Sequence, residues 1–143
     1  PIPVFVDRNI GNFSVTSEFE LYSRWDYDWF RVTTRMMDFY FFSRVVSDVG
    51  DKTIFSYEIE RLMEDRFVLF LQAYHEEYPL KRNEILFLKE AYRFFLLNYV
   101  VKYGRYFFHE IFATRLQQEA YNIHLPGIEE KFDPDVLLNA LNL

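Results

Sequence analysis

"FSVTSEFELYSRWDYDWFRVTTRMMDFYFFSRVV", residues 13–46, changes its period part-way along, and that change sets the fold class. Phe13-Ser14-Val15 and Phe19-Glu20-Leu21-Tyr22 alternate apolar with polar side chains, and Thr16-Ser17-Glu18 lies between them. Alternation at a period of two buries one face of a strand, and a polar trio between two such runs predicts a hairpin. The stretch "SRWDYDWFRVTT" (23–34) has no clear period and reads as a loop. From Thr33 or Thr34, either of which can cap, the pattern turns helical and runs through "MMDFYFFSRVVSDV" to Gly50. Residues 36–42 are apolar nearly all round apart from Asp38, so this helix is expected at the centre of the molecule.

Upstream, residues 2–6 form one more strand candidate. Downstream, the pattern is helical throughout. A second helix can be capped by Ser56, with Glu58 and Glu60 favouring the dipole of its first turn, and should fade from His75 to Tyr78 before Pro79. Segment 83–103 places Ile85, Leu88, Tyr92, Phe95, Tyr99 and Tyr103 on one face, and Gly104 interrupts it. Another helix is expected over about 105–121, and a last short one opens at Asp133-Pro134, a capping residue followed by proline at the first helical position. The expected class is α+β, mainly α: a short N-terminal β-hairpin followed by four to five packed helices. It is one domain over 1–143, with a hairpin region at 1–30 and a helical region at 31–143.

Composition narrows the function. Half of the 143 residues are hydrophobic and 21% are aromatic, far too apolar for disorder. The rings either fill an ordinary core or covered a neighbour now missing, and both remain open. A net charge of −6 argues against nucleic acid as a partner, because phosphate binding needs a basic stripe. The absence of cysteine excludes disulfides, thiolate catalysis and zinc-thiolate sites, and fits a cytoplasmic setting. No uncharged apolar run approaches the length of a membrane span, and no signal-peptide pattern opens the chain, so no membrane partner is expected.

Four polar residues suggest chemistry. Asp7 and Asn12 stand five apart across a loop containing Gly11; Asp26 follows Asn12 by fourteen positions, and Asp38 lies twelve further on. Phosphoryl transfer asks a protein to orient an acceptor hydroxyl, usually with a carboxylate, and to hold magnesium against nucleotide phosphates with oxygen ligands. Asp7 suits the first task. Asn12 and Asp26 suit the second, because the hairpin strands would return the loop after them to the end where the loop before them began.

"VFVDRNIGNFSV", "ELYSRWDYDW" and "MMDFYFFSRV" resemble the second half of the aminoglycoside phosphotransferase and choline kinase-like family, within the kinase superfamily. The resemblance spans residues 3 to about 45 and implies the C-lobe of a protein-kinase-like fold. It makes Asp7 the catalytic aspartate, Asn12 and Asp26 the metal ligands, and Asp38 a structural residue at a loop-to-helix junction. Asp28 rivals Asp26 as the ligand within "WDYDW". It also implies Mg²⁺ and ATP, and an acceptor hydroxyl on a sugar, an aminoglycoside-like compound or an amino alcohol. One element departs: the family's histidine, two before the aspartate, is Phe5 here, which bears on how the loop is braced. The family's nucleotide-gripping half, with its glycine loop and strand lysine, would precede this point. Gly11, Gly50, Gly104 and Gly127 form no phosphate-cradling cluster. The chain is therefore expected to be a C-terminal fragment, inactive by itself, with a missing N-terminal lobe as its partner. An aromatic face left bare by that lobe would favour self-association.

Blander readings stand beside these. Asp7 and Asn12 can simply satisfy a turn, and the chain can be a non-catalytic helical interaction module or pseudokinase. His75, His109 and His124 are scattered, and "HEE" at 75–77 reads as solvated surface. Trp25, Tyr27, Trp29 and Phe30 beside Asp26 and Asp28 could cage an amine, but rings packing a loop onto the helices explain them more simply. The stripe from Tyr92 to Tyr103 reads as core.

Overall fold

The computed structural model describes residues 1–4, 12–28, 30–46 and 57–143. β2 (Phe13–Val15) and β3 (Leu21–Arg24) form the expected antiparallel hairpin, pairing Phe13 with Arg24 and Ser14 with Ser23. The Ser14 and Ser23 hydroxyls share a 2.6 Å hydrogen bond across it. The turn is longer than the alternation suggests, and Phe19 and Glu20 belong to it rather than to the second strand. The Thr16 amide donates to the Glu20 carbonyl (2.8 Å), and the Phe19 amide to the Thr16 carbonyl (3.0 Å). Reversal of the chain puts Phe19 in the left-handed region, at φ 64°. An apolar residue at the right parity cannot reveal that requirement.

A second pairing corrects the reading of 23–34 as loop. β4 (Arg31–Thr33) lies in that stretch and pairs antiparallel with β1 (Ile2–Val4), setting Ile2 opposite Thr33 and Val4 opposite Arg31. Three residues are too few to show a period, and the partner that makes them a strand lies far away in sequence. Phe5 and Val6, the rest of the expected first strand, lie outside the described residues.

α1 (Met36–Val45) begins just after β4; the Thr34 hydroxyl accepts from the Met36 amide at 3.4 Å, while Thr33 is still extended. The helix is central, as its sequence predicts, burying Met36, Phe39, Tyr40 and Phe41 against α2 (Asp65–Glu77) and α3 (Arg82–Phe95). Edge-to-face ring pairs join the three: Phe39–Tyr74 at 5.1 Å, Tyr40–Tyr92 at 4.7 Å and Phe41–Phe95 at 5.0 Å between centroids. Two buried phenols also donate to backbone, Tyr40 to the Glu58 carbonyl (3.2 Å) and Tyr92 to the Tyr57 carbonyl (2.6 Å). Burial raises the pKa of both well above the ordinary phenol value, so both remain donors.

The helix expected from Ser56 to Tyr78 is interrupted. Ile59–Met63 is a 3₁₀ turn, and Glu64 is extended (ψ 144°) before α2 begins. Three residues per turn align Ile59 with Leu62, and both are buried. Arg61 pairs with Glu58 and Glu64 on either side of that turn. Ser56 lies outside the described residues. The stripe over 83–103 buries Ile85, Leu88, Tyr92 and Phe95 in α3, then continues as a π-helix, Leu96–Lys102. The single helix expected over 105–121 is replaced by α4 (Gly104–Phe107) and α5 (Glu110–Glu119), separated where Phe108 turns extended (ψ 147°). α5 also ends in a π turn, Ala120–His124. After α6 (Ile128–Lys131), α7 (Pro134–Leu141) opens as its sequence predicts: the Asp133 carboxylate accepts from the Asp135 amide (3.0 Å). Asn142, at φ 56°, closes it. The fold is thus α+β, mainly α. No described helix is long and apolar enough to cross a membrane.

Candidate functional site at the open end of the hairpin

Beyond the Phe13–Arg24 pair the hairpin makes one more rung: the Trp25 amide donates to the Asn12 carbonyl at 2.9 Å. Asn12 and Asp26 therefore reach the same end of the hairpin despite their separation in sequence. Asp26 sits one residue past the rung with φ 55°. Among the described residues only Phe19 and Asn142 share a positive φ without being glycine; one turns the hairpin and the other ends a helix. Asp26 does neither. A short polar side chain tolerates this conformation because it can bond locally, and the Asp26 Oδ1 accepts from the Asp28 amide at 3.3 Å. Backbone held in a sparsely populated region is enriched at functional sites, and here it also accompanies the Asx turn that Asp26 makes with Asp28.

Asp7, the residue assigned to the acceptor proton, lies outside the described residues, as do Phe5 and Gly11. Two of the three expected site residues are thus brought to one end of one hairpin. Asp38 is elsewhere, buried in the first turn of α1, where the helix dipole favours a carboxylate. Asp28 faces a polar groove of about 520 Å³, whose other lining residues are Arg31 of β4, Asn98 and Lys102 of the π-helix, Tyr103 and Phe107.

Among the described residues no group of three or more His, Cys, Asp or Glu side chains gathers around a common centre. One carboxylate and one amide oxygen still suit Mg²⁺, which keeps several waters and is bound by one or two carboxylates together with substrate phosphates. Asn12 and Asp26 would offer such a partial site one amide and one carboxylate oxygen.

No family model, curated protein or solved structure matches the chain.

The aromatic residues around Asp26 are about half exposed among the described residues. Trp25 and Tyr27 keep 57% and 53% of their surface exposed. The Arg24 guanidinium lies over the rings of Phe13 (5.1 Å) and Tyr27 (5.7 Å), so a cation from the chain itself already occupies one aromatic face. Trp29 lies outside the described residues. His75 is likewise more than solvated surface, because its Nδ1 accepts from the Leu80 amide (2.8 Å) and closes the α2–α3 connection.

A second cleft, of about 970 Å³, opens between β1, β4, α2 and α3. The guanidinium on its wall is already taken up. Arg35 grips Glu84 with two hydrogen bonds (2.8 and 2.7 Å) and donates to the Pro79 and Tyr78 carbonyls (2.7 and 3.2 Å). This knot ties the start of α1 to the α2–α3 connection. The hydrogen bond from Arg35 holds the Glu84 carboxyl below its ordinary pKa, against the opposing effect of burial. A carboxylate with a lowered folded-state pKa stabilises above the unfolded value, and that stabilisation is lost as pH falls through the folded value. The two side chains keep 20% and 26% exposure, so solvent screens part of the effect. Glu84→Gln should cost about 1–2 kcal/mol at pH 7. The gap from wild type should close on acidification below the ordinary carboxylate range. Urea midpoints measured from pH 7 to pH 3 check this; a gap independent of pH would show that the pair is not linked to folding.

Arg31, Asn98 and Lys102 come to lie beside Asp28 without any motif to mark them. No spacing signals them, since the two walls come from segments far apart in the chain.

Proposed function

We propose that this chain supplies the metal-binding half of an ATP-dependent phosphotransferase acting on a hydroxyl of a small molecule. Asp7 orients the acceptor hydroxyl and takes its proton as the acceptor oxygen bonds to the γ-phosphorus. The bond from that phosphorus to the bridging oxygen breaks, and ADP leaves with its electron pair. Asn12 and Asp26 would hold Mg²⁺, which supplies charge neutralisation at the transferring group. The single observation supporting this is the Asn12–Trp25 rung with left-handed Asp26 one residue beyond it. The four glycines of these 143 residues make no phosphate cradle, so the nucleotide-gripping half would come from elsewhere in the parent polypeptide. These residues alone are then expected to be inactive. A cysteine-free chain suits the reducing cytosol, where ATP is at hand.

The test is transfer of labelled γ-phosphate from Mg-ATP to a panel of sugars, amino alcohols and hydroxy acids by the parent polypeptide. Transfer to at least one class is expected, and Asp7→Ala should lower kcat by about 10²–10⁴-fold. Failure to transfer to any class, or an unchanged rate in the variant, would remove the enzyme reading. The largely bare side chains of Phe19, Leu21 and Tyr22 on the hairpin favour the second reading, a non-catalytic interaction module. That reading would gain if the parent bound no nucleotide.

A further inference from the structure

We infer that Arg24 is a positioning residue for the open end of the hairpin: its guanidinium staples together the two arms that carry Asn12 and Asp26. The staple is a claim about these residues alone; its consequence for Mg²⁺ rests on the function proposed above.

Three observations carry it. Arg24 stands on β3 opposite Phe13, the residue after Asn12, and its guanidinium lies 5.1 Å from the centre of that ring. It also lies 5.7 Å from the centre of the Tyr27 ring, and Tyr27 follows Asp26. One planar cation thus meets the neighbour of each proposed ligand, both within the roughly 6 Å over which a ring face attracts a cation. Arginine suits this better than lysine, because its flat, weakly hydrated group stacks on aromatic faces. Second, the Arg24 Nε and Nη1 are screened from water. The attraction strengthens where the cation has lost its water, so this contact is worth more than an exposed one. Third, the backbone leaves the staple something to hold. Past the Phe13–Arg24 pair the described arms share one further rung, from the Trp25 amide to the Asn12 carbonyl, before Asp26 turns left-handed. Hydrogen bonds at the end of a two-stranded hairpin open readily, and such a hairpin is marginal by itself.

The sign of the effect separates two roles. A guanidinium two residues from a metal ligand opposes Mg²⁺ if it acts only through its charge. As a staple it favours Mg²⁺, because ligands already held in place lose less freedom when the ion arrives. Removing the side chain tightens metal binding in the first case and weakens it in the second.

The test follows backbone amide resonances of the isotope-labelled chain, first without metal. Arg24→Leu should speed hydrogen exchange at the Trp25 amide about threefold or more, with the Tyr92 amide in α3 unchanged. Tyr27→Leu should do the same with the guanidinium still present. Arg24→Lys should fall between, and Tyr22→Leu on the same hairpin should match wild type. A thermal midpoint for each variant separates a lost staple from lost folding; should Arg24→Leu not fold, Tyr27→Leu decides. Mn²⁺, standing in for Mg²⁺, is then titrated to broaden the Asn12 and Asp26 amides. The concentration giving half the effect should rise roughly tenfold in Arg24→Leu. The inference is overturned if exchange at Trp25 is unchanged in folded Arg24→Leu and Tyr27→Leu, or if Tyr22→Leu speeds it equally. Tighter Mn²⁺ binding in Arg24→Leu would make the guanidinium an opposing charge and likewise overturn the positioning role. Faster exchange, with no broadening even in wild type, would uphold the staple and remove Asn12 and Asp26 as ligands. Weakened Mn²⁺ binding in Arg24→Leu, in a chain whose parent transfers no phosphate, would uphold the positioning role and remove the phosphotransferase.

Discussion

Asp26→Asn in the parent polypeptide should lower magnesium-dependent phosphoryl transfer by roughly a hundredfold or more, while shifting stability by no more than about 0.5 kcal/mol. The two effects separate because asparagine keeps what the backbone needs. It is close in shape to aspartate, is enriched at positive φ, and its Oδ1 can still accept the Asp28 amide that now bonds the carboxylate at 3.3 Å. What it loses is the negative charge. A metal ligand weakened in this way should raise the Mg²⁺ concentration needed for half-maximal rate, a readout that a purely structural residue would not move. Asp26→Ala is the informative contrast: it also removes the Asx turn and leaves an alanine at φ 55°, costing about 1–2 kcal/mol. Full activity and unchanged magnesium dependence in Asp26→Asn would discard Asp26 as ligand, and Asp28→Asn would then be the variant to measure.

Phe39→Ala should destabilise the chain by about 3–5 kcal/mol, a large part of the roughly 5–15 kcal/mol available to a domain of this size. Phe39 keeps 1% of its surface exposed and stands on the central helix. Its ring meets Phe67 (6.4 Å), Phe70 (6.3 Å) and Tyr74 (5.1 Å) edge-on, so truncation removes three aromatic contacts and leaves a cavity between α1 and α2. The neighbouring rings are held by their own partners: Phe70 is stacked on Phe42 and Phe67, and Arg35 lies over Tyr74. Collapse into the void is therefore limited, and the cost should fall toward the upper part of the range. Urea denaturation measures it. A loss below about 1.5 kcal/mol, the scale of a tolerated core swap, would mean that the ring cluster is loose.

Particular residues show where the sequence was legible. Asp133-Pro134 specified the start of α7 because a cap and a fixed φ act within one turn. The alternation around Thr16 specified the hairpin, and the all-round apolar run at 36–42 specified a central helix. Each signal is local or periodic. The misses are of another kind: β4 exists because Ile2–Val4 pairs with it, the 3₁₀ turn at Ile59–Met63 because two buried side chains align at three residues per turn, and the π stretch at Leu96–Lys102 beneath an unbroken helical pattern. At the site, spacing nominated Asn12 and Asp26, but spacing cannot report a left-handed backbone or the cations facing Asp28.

By itself, then, the sequence determined the mainly helical class, the hairpin, the burial of α1 and the pair of oxygen-bearing residues flanking the hairpin, because propensity, caps and hydrophobic period act over a few residues. Tertiary structure alone decided that the Trp25 amide reaches Asn12, that Arg35 is locked to Glu84, and that Asp28 shares a groove with Lys102. Those are contacts between segments distant along the chain. They form only when the burial of one element fixes the position of another.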